Sequence, residues 1–307
     1  MNFALVLSLA VLTDRILGDP KNFPHPVKLI GRVINFWQKI LFTDKDSFIR
    51  GLALCVLTLC TAGLFVFALL YLSKNNFFVQ VYLIYSALAW RDLKDETEKI
   101  FFALLKNNLD EARKFLSFVV GRDTEKLNAA EIICAVIETI SENSIDGVIS
   151  VIFFAALGNF FFSSYGMILS VWLFKAASTL DSMVGYESYE KFGFASAKLD
   201  DVLNFIPARL GGLIIVMSGG NFFSALKIFL QDRKKHKSPN SAHGESAFAG
   251  TLNIKLGGGA FYDGIFEPRP FINENAREPE IFDIVRAWNL LDISCALFAL
   301  LMIIIEI

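Results

Sequence analysis

The chain has 307 residues, which is long enough for two ordinary soluble domains. Hydrophobic residues make up 54% of it, charged residues make up 20%, and the mean hydropathy is +0.49. Soluble proteins carry roughly 25% charged residues, so this chain has too little polar material to cover a water-facing surface. The composition therefore excludes a soluble globule and a disordered chain, and the net charge of −2 excludes a cationic nucleic-acid binder.

Long apolar stretches predict an all-α integral membrane protein with roughly four to six membrane helices, some of them short or re-entrant. Residues 1–13 are apolar and predict an uncleaved first membrane element. Residues 51–72 carry no charge, and as a helix they span about 33 Å, enough to cross a hydrocarbon core. Residues 77–89 reach only about 20 Å. With a turn at 73–76, they predict the marginal second arm of a helical hairpin.

Residues 147–174 are also uncharged and would span about 42 Å as one helix, which is longer than one crossing needs. Gly158 and Asn159 interrupt this stretch, so we predict two half-membrane elements that turn near this pair and return to the side from which they started. Residues 202–217 contain Arg209 and are not expected to face lipid on every side. Residues 292–305 predict a last membrane anchor.

The distribution of basic residues predicts the orientation in the membrane. Segment 18–50 carries six Lys and Arg residues and segment 91–146 carries eight, whereas the turn at 73–76 has only Lys74. This bias places both segments in the cytoplasm, and segment 219–288, with nine, should lie there as well. We predict one polytopic domain over 1–307, in which 91–146 is a cytoplasmic helical segment and 219–288 is a cytoplasmic segment rich in loops, turns and short strands.

Ionisable residues crowd at the ends of the apolar runs, where such groups are costly and usually functional. The first group consists of Asp14, Asp19, His25 and Arg32. In the second group, Glu138, Glu142 and Asp146 are four residues apart, so the three carboxylates share one helix face and repel by about 0.2–0.5 kcal/mol per pair. This face indicates a magnesium–phosphate or amine site, and a solvated acidic face is the alternative.

The third group predicts a set of oxygen ligands. Asp200, Asp201 and Asn204 have helical spacings that let their side chains converge on one face. Pro207 lacks an N–H group, which leaves the carbonyl four residues earlier available as a further ligand. Hard oxygen ligands of this kind suit Mg²⁺, and Arg209 can bind a phosphate or a carboxylate with two hydrogen bonds. The alternative is a capped helix start followed by a kink.

The fourth group lies in a stretch that reads SPNSAHGE and contains Asn240, His243 and Glu245. The three glycines at 257–259 follow it, and their backbone N–H groups could approach a phosphate, although an ordinary loop is the simpler interpretation. The sequence contains neither a P-loop motif nor a dinucleotide-binding fingerprint.

Taken in order, these stretches resemble the CobD/CbiB family of cobalamin biosynthesis, the cobinamide-phosphate synthases. The resemblance runs from residue 14 to about residue 260 and rests on six motifs: DRILGDPKNFPHPVKLIGR (14–32), VGRDTEKL (120–127), ETISENSIDG (138–147), KAASTLDSMVGY (175–186), KLDDVLNFIPARL (198–210) and SPNSAHGE (238–245). The chain departs from the family pattern at four positions. Ala242 and Gly244 replace a glycine and a proline, which predicts an altered loop backbone. Cys134 stands where an arginine is common, which removes one expected partner of the acidic helix, and Val151 stands where a proline is common.

The resemblance implies a multi-pass enzyme of the inner (cytoplasmic) cell membrane with its active site facing the cytoplasm. It implies ATP-dependent amide formation between the free propionate carboxyl of adenosylcobyric acid and (R)-1-amino-2-propanol or its O-phosphate. ATP would be a co-substrate and Mg²⁺ the metal, and no tightly bound organic cofactor is expected. The expected partners are the lipid bilayer, these substrates, and further copies of the chain or other membrane enzymes of the pathway. Nucleic acid is not expected.

The resemblance and the chemistry of the side chains together give the candidate site residues. The catalytic candidates are His25, His243, Glu245 and Glu142, and the choice of base among the first three stays open. The candidates for binding substrate or phosphate are Asp14, Asp19, Arg32, Arg122, Asp123, Glu138, Asn143, Lys175, Asp181, Arg209 and Asn240. The candidate metal ligands are Asp146, Asp200, Asp201 and Asn204.

Two other functions fit part of the sequence. A magnesium-dependent intramembrane prenyl or phospho-alcohol transferase would use the acidic helix ends to bind a diphosphate, but it gives no role to the SPNSAHGE stretch. A transporter with broken helices would use the polar clusters as its substrate site, and it predicts an internal duplication that the sequence does not clearly contain.

Overall fold

The computed structural model describes residues 3–19, 25–42, 47–185 and 190–306. The helices are α1 (Phe3–Leu17), α2 (Pro26–Leu41), α3 (Phe48–Leu72), α4 (Phe77–Tyr85), α5 (Trp90–Leu105), α6 (Leu109–Leu116), α7 (Ala129–Ser144), α8 (Ser150–Val184), α9 (Phe194–Leu203), α10 (Phe205–Met217), α11 (Phe222–Asp232), α12 (Ser241–Leu252) and α13 (Ile281–Ile305), and a π-helical turn, Ile145–Ile149, joins α7 to α8. The strands are β1 (Leu256–Gly257), β2 (Ala260–Tyr262), β3 (Ile265–Glu267) and β4 (Phe271–Ile272), in antiparallel pairs β1–β4 and β2–β3. The predicted all-α class is confirmed.

Three helical stretches are long and apolar enough to cross a membrane. They are Phe48–Leu72, the combined stretch Ala129–Val184 (α7, the π-helical turn and α8, whose fold-back is described below) and Ile281–Ile305, and Phe205–Met217 is a shorter apolar helix. The prediction of an all-α membrane protein is therefore supported by the length and the composition of these helices.

The chain divides into two compact units that interleave along the sequence. Unit 1 contains Met1–Ala89, Ser150–Asn204 and Ala299–Ile307, and unit 2 contains Trp90–Ile149 and Phe205–Phe298. Each unit is built from stretches that are distant in the sequence, so each one brings together several of the motifs described above.

In unit 1, α3 and α4 form the predicted hairpin. The turn between them contains Lys74 and Asn75, both with positive φ, and the Asn76 side chain accepts a hydrogen bond from the Phe78 N–H at 2.9 Å to cap α4. Helix α4 has only nine residues, which matches its predicted marginal length.

Helix α8, also in unit 1, is itself a hairpin of two antiparallel arms. The backbone leaves the helical region at Phe162 and Ser163. On either side of that point, a Cβ added to Gly158 would lie 2.2 Å from the carbonyl oxygen of Gly166, and the Ser170 hydroxyl donates to the Phe154 carbonyl at 2.6 Å. The predicted fold-back is confirmed, but it occurs at Phe162 and Ser163 and not at Gly158, because that glycine is where the two arms pack most closely.

In unit 2, α12 packs against α7, α10 and α11. A loop was predicted here, and for Ser241–Leu252 that prediction is wrong. The glycine content contributed to the loop prediction, but in the structure the glycines permit close helix packing: a Cβ at Gly244 would meet the Ser141 carbonyl at 2.7 Å, and one at Gly250 would meet the Ala225 carbonyl at 2.9 Å. The short strands predicted for this part of the chain are present as β1–β4.

Candidate functional site

The candidate residues fall into two groups, one in each unit. Unit 2 holds Arg122, Asp123, Glu138, Glu142, Asn143, Asp146, Arg209, Asn240, His243 and Glu245. Unit 1 holds Asp14, Asp19, His25, Arg32, Lys175, Asp181, Asp200, Asp201 and Asn204. Each group is therefore described within its own unit.

The Glu138 carboxylate lies at the centre of the group in unit 2. It is only 5% exposed, and the Arg122 guanidinium donates to it at 2.6 Å. Its other oxygen accepts the backbone N–H of Gly257 at 2.8 Å and lies 3.4 Å from the Cys134 thiol. Arg122 thus pairs with one of the three carboxylates of this region, and Cys134, where an arginine was expected, contacts the same carboxylate.

The glycine loop at 257–259 brings its backbone against this carboxylate. All three glycines have positive φ, and a Cβ at Gly257 or Gly259 would lie 2.6 or 2.5 Å from a carbonyl oxygen of the facing strand region. Only glycine fits such positions without strain. An approach of this backbone to a phosphate and an ordinary loop were the two interpretations of the sequence; in the structure the Gly257 N–H donates to Glu138.

A buried carboxylate, Glu245 on α12, lines the same small pocket as Arg122, Glu138 and the glycine loop. Its side chain is 5% exposed, and one oxygen lies 3.2 Å from the His236 Nε2 atom. Burial, followed by repulsion from Glu138 and Glu142, raises the pKa of Glu245 well above its ordinary value. This carboxylate is therefore a stronger proton acceptor than an exposed glutamate.

His236 and Arg269 complete the pocket, and sequence analysis missed both residues. The His236 side chain is 6% exposed, and Arg269 donates to the Tyr262 hydroxyl at 2.7 Å. His236 lies in a run of basic residues that resembles an ordinary positive flank, and Arg269 stands between two prolines. The only sequence signal was the two-residue separation of His236 from the SPNSAHGE motif.

The Arg209 side chain joins two of the motifs in unit 2. Its guanidinium donates to the Asn240 side-chain oxygen at 3.1 Å and stacks 3.4 Å from the centroid of the Phe205 ring. His243 lies nearby on α12, and it is 1% exposed with its ring edge against Phe229. Burial, with Arg209 and Arg233 adding to it, lowers the pKa of His243 to about 4, which makes this histidine a weak proton acceptor at neutral pH.

The other candidate residues of α7 and of the π-helical turn in unit 2 differ in solvent exposure. Glu142 is exposed, whereas Asn143 and Asp146 are partly buried. The Asn143 amide donates to the Thr139 carbonyl at 3.0 Å, and Asp146 lies in the π-helical turn. The three carboxylates were predicted to share one helix face, but the π-turn ends the regular α-helical spacing at Ile145.

Asp123 holds a turn in unit 2. Its carboxylate accepts the Gly264 N–H at 2.8 Å and its own N–H donates to the Phe261 carbonyl at 2.8 Å. The motif that contains Arg122 is thereby fixed to the β2–β3 ribbon, which positions the Arg122 side chain.

In unit 1, Asp200 and Asn204 meet as their spacing predicts. The Asn204 amide donates to one Asp200 oxygen at 3.1 Å, and the Ser150 hydroxyl donates to the Asn204 oxygen at 2.8 Å. The other Asp200 oxygen is buried without a hydrogen-bond partner, and burial raises the pKa of Asp200 to about 6. Asp201 forms an ion pair with Lys198 at 2.8 Å.

The remaining candidates in unit 1 lie on α1, α2 and α8 or next to them. Asp14 is buried, Asp19 lies 3.2 Å from His25, and Arg32 is exposed. Lys175 and Asp181 are partly buried. Residues 20–24 of the first motif and Tyr186 of the fourth motif lie outside the described residues. Within the described ranges, no group of three or more His, Cys, Asp or Glu side chains could by itself hold a metal ion.

Comparison with known proteins identifies the family. The family model described as CobD/Cbib protein matches residues 7–291. A Pelobacter propionicus protein named cobalamin biosynthesis protein CobD is 42% identical over 284 residues, covering 89% of this chain and 85% of the relative. The Salmonella typhimurium cobalamin biosynthesis protein CbiB is 38% identical over 315 residues, covering 97% and 96%. No solved structure matches the chain. The chain therefore belongs to the CobD/CbiB family of cobalamin biosynthesis proteins.

Proposed function

We propose that this protein is an ATP-dependent carbon–nitrogen ligase. It joins the free propionate carboxyl of adenosylcobyric acid to (R)-1-amino-2-propanol or its O-phosphate and gives adenosylcobinamide or adenosylcobinamide phosphate. Membership of the family supports the pathway. The observation that carries the proposal is the pocket in unit 2, where two arginines, Arg122 and Arg269, lie with the buried carboxylates Glu138 and Glu245 beside a glycine loop.

The charges in this pocket suit the chemistry of amide formation. A carboxylate does not condense usefully with an ammonium ion in water, so the propionate must be activated, most simply as an acyl phosphate formed from ATP. Guanidinium groups stabilise the charge that develops on the phosphoryl oxygens. Carboxylates can hold the ammonium group of the amine and remove its proton, and Arg209 with Asn240 provides a further site for an anion or an amide.

Unit 1 offers only a partial set of ligands for Mg²⁺. Asp200 has one buried carboxylate oxygen without a partner, beside the Asn204 amide. Mg²⁺ in proteins is usually held by one or two carboxylates together with substrate phosphates and water, so Asp200 is the residue that would hold it. When bound, the ion would supply positive charge at Asp200 within unit 1, and we propose no protein cage for it.

We place the protein in the cytoplasmic membrane with the site facing the cytoplasm. The long apolar helices support insertion in a bilayer, and the excess of Lys and Arg in segments 18–50 and 91–146 supports this orientation. ATP is available on that side.

The test is an assay of the purified protein in detergent or liposomes. Adenosylcobyric acid, Mg-ATP and either the free amino alcohol or its phosphate are added, and the amide product is followed by mass spectrometry. We expect product only when ATP and an amine are both present. A folded protein that forms no amide with either amine would contradict the proposal, whereas transfer of a prenyl group or uptake without chemistry would support the rival functions.

One substitution tests whether the assayed reaction takes place in the pocket of unit 2. We expect Glu245→Gln to lower kcat by about 100-fold or more, because general bases contribute roughly 10²–10⁴-fold to rates. The matched control is Glu274→Gln, which removes an exposed carboxylate elsewhere in unit 2 and should leave the rate near that of the wild type. Full activity of Glu245→Gln would remove this residue from the site.

A further inference from the structure

The sequence did not predict a contact between His236 and Glu245. The His236 Nε2 atom and a Glu245 carboxylate oxygen lie 3.2 Å apart, and both side chains are more than nine-tenths buried. Neither of these two atoms has an aligned hydrogen-bond partner in the described part of the chain. Two buried polar atoms at this distance, facing a pocket, are costly unless the site uses them.

A second contact fixes the orientation of the imidazole ring. The His236 Nδ1 atom lies 3.2 Å from the Ser241 hydroxyl oxygen at the start of α12. When that hydroxyl donates to Nδ1, the proton of the neutral ring resides on Nε2, the atom that lies 3.2 Å from the Glu245 carboxylate. Ser241, His236 and Glu245 then form a chain of polar contacts that limits the movement of the carboxylate.

We propose that His236 is a positioning residue that holds the Glu245 carboxylate as the proton acceptor for the attacking amine. This inference rests on the proposed ligase function and selects Glu245 among the three candidate bases. In the reaction, the ammonium group gives one proton to Glu245, and the nitrogen lone pair attacks the acyl-phosphate carbonyl. The C–N bond forms, the bond from carbonyl carbon to phosphate oxygen breaks, and the second nitrogen proton leaves with the phosphate.

The surroundings of Glu245 support this assignment. Glu138 and Glu142 on α7 raise the pKa of Glu245 after burial, whereas Arg269, before β4, and Arg122, before α7, lower it. Burial, Arg269 and Arg122 also lower the pKa of His236, to about 4, so its ring is a weak proton acceptor and does not replace Glu245 as the base.

His243 has a different environment on the same helix. Both of its ring nitrogens are buried without a hydrogen-bond partner, and the charged groups that act on it are the cations Arg209, Arg233 and Lys234. These cations disfavour a protonated ring. His25 lies in unit 1 next to Asp19, outside the pocket that contains Glu245.

The test compares two substitutions of His236 that preserve different ring contacts. The amide of asparagine can replace Nδ1 towards Ser241 but does not reach Glu245, whereas the amide of glutamine can replace the Nε2 donor. We expect His236→Asn to lower kcat by about 10-fold to 100-fold, a part of what a general base contributes. Loss of the Nε2 donor removes a favourable polar contact with the charged form of Glu245. The pKa of Glu245 therefore rises, and the acidic limb of the pH–rate profile moves to higher pH. We expect His236→Gln to return the limb towards its wild-type position.

Lys234→Gln is the control, because it removes an exposed charge from the same segment and should leave the profile unchanged. If His236→Asn keeps the wild-type acidic limb, or if His236→Gln shifts it equally, the proposal is wrong. If His236→Asn does not accumulate in membranes, Ser241→Ala decides in its place: a smaller shift in the same direction supports the proposal, and an unchanged limb overturns it.

A measurement without turnover separates this inference from the proposed function. In infrared titration of the purified protein, the carboxylic acid C=O band that disappears in Glu245→Gln reports the protonation of this residue. We expect that band to persist to higher pH in His236→Asn than in the wild type. The same titration in both proteins would overturn the pairing, whereas absence of amide product from the wild type would instead contradict the ligase function.

Discussion

Glu138 shows how one residue depends on parts of the chain that are distant in sequence. It lies in a helix with two further carboxylates, and the sequence around it offers no partner for its charge. In the structure, a guanidinium from residue 122 and a backbone N–H from residue 257 both bind it. A carboxylate that is 5% exposed is stable only with such partners.

We expect Arg122→Met to destabilise the protein by about 3 kcal/mol, because removing one member of a buried ion pair leaves an uncompensated charge. Chemical unfolding in detergent at pH 8 measures this change. The double variant Arg122→Met with Glu138→Leu removes both charges and should recover part of the loss. Equal stability of Arg122→Met and the wild type would show that the pair is not structurally important.

Asp200 and Asp201 are adjacent acids with different surroundings, so they provide a matched test of the metal site. Asp200 has a buried oxygen without a partner, whereas Asp201 pairs with Lys198. We expect Asp200→Asn to raise the Mg²⁺ concentration for half-maximal activity by about 10-fold, in the range that loss of one ligand or supporting group produces. Asp201→Asn should have a smaller effect. A larger effect for Asp201→Asn would reverse the assignment.

Among the secondary-structure elements, the fold-back of α8 is set by small residues. The arm from Ser150 to the turn has about 12 residues and covers only about 18 Å, so it cannot cross a bilayer alone. Gly158 and Gly166 allow the arms to approach until the backbones touch. Ser170 then satisfies a carbonyl of the opposite arm.

We expect Gly158→Ala to destabilise unit 1 by about 1–3 kcal/mol, because its Cβ would overlap the Gly166 carbonyl at 2.2 Å and force the arms apart. The control is Gly63→Ala in α3, where the Cβ would lie 3.4 Å from a flexible Leu173 side chain. Thermal unfolding in detergent compares the two variants. A loss of stability for Gly63→Ala as large as that for Gly158→Ala would argue against the close approach as the cause.

Helix α12 shows why composition misleads at the level of one element. Glycine weakens helices in isolation, and a segment rich in glycine, proline and asparagine was predicted as loop, including the part that contains Gly244 and Gly250. Those same residues let three neighbouring helices approach α12 closely. Packing outweighs the weak intrinsic propensity here.

For the whole molecule, the fold-back of α8 makes a prediction about topology. If its two arms return to the side from which they started, residue 191 should lie on the same side as residue 125. We expect single cysteines at Glu125 and Lys191 to react with a charged thiol reagent in inside-out vesicles, and a cysteine at Lys74 to react in intact cells. The background is a variant without the four native cysteines. Labelling of Lys191→Cys from the outside would contradict the predicted orientation.

The sequence determined the class of the protein, its family and most of its helices. Low charge and apolar runs require a bilayer as solvent, and six motifs in order identify the CobD/CbiB family. The α3–α4 hairpin follows from hydrophobic length and from the turn residues between its arms. These properties depend on composition or on residues close together in the chain, so the sequence alone predicts them.

Only the tertiary structure decided which charges meet. His236 and Arg269 belong to the pocket although no helical spacing relates them to Glu138 or Glu245, because helix packing and a glycine loop bring them together. Asp200 and Asn204 were predictable partners, because one helical turn separates them. The ion pair of Arg122 with Glu138, in contrast, joins a loop residue to a helix residue, and the β2–β3 ribbon holds the turn that contains Arg122. Electrostatic interactions act through space, so the burial and the partners that set a site's chemistry appear only once the chain is folded.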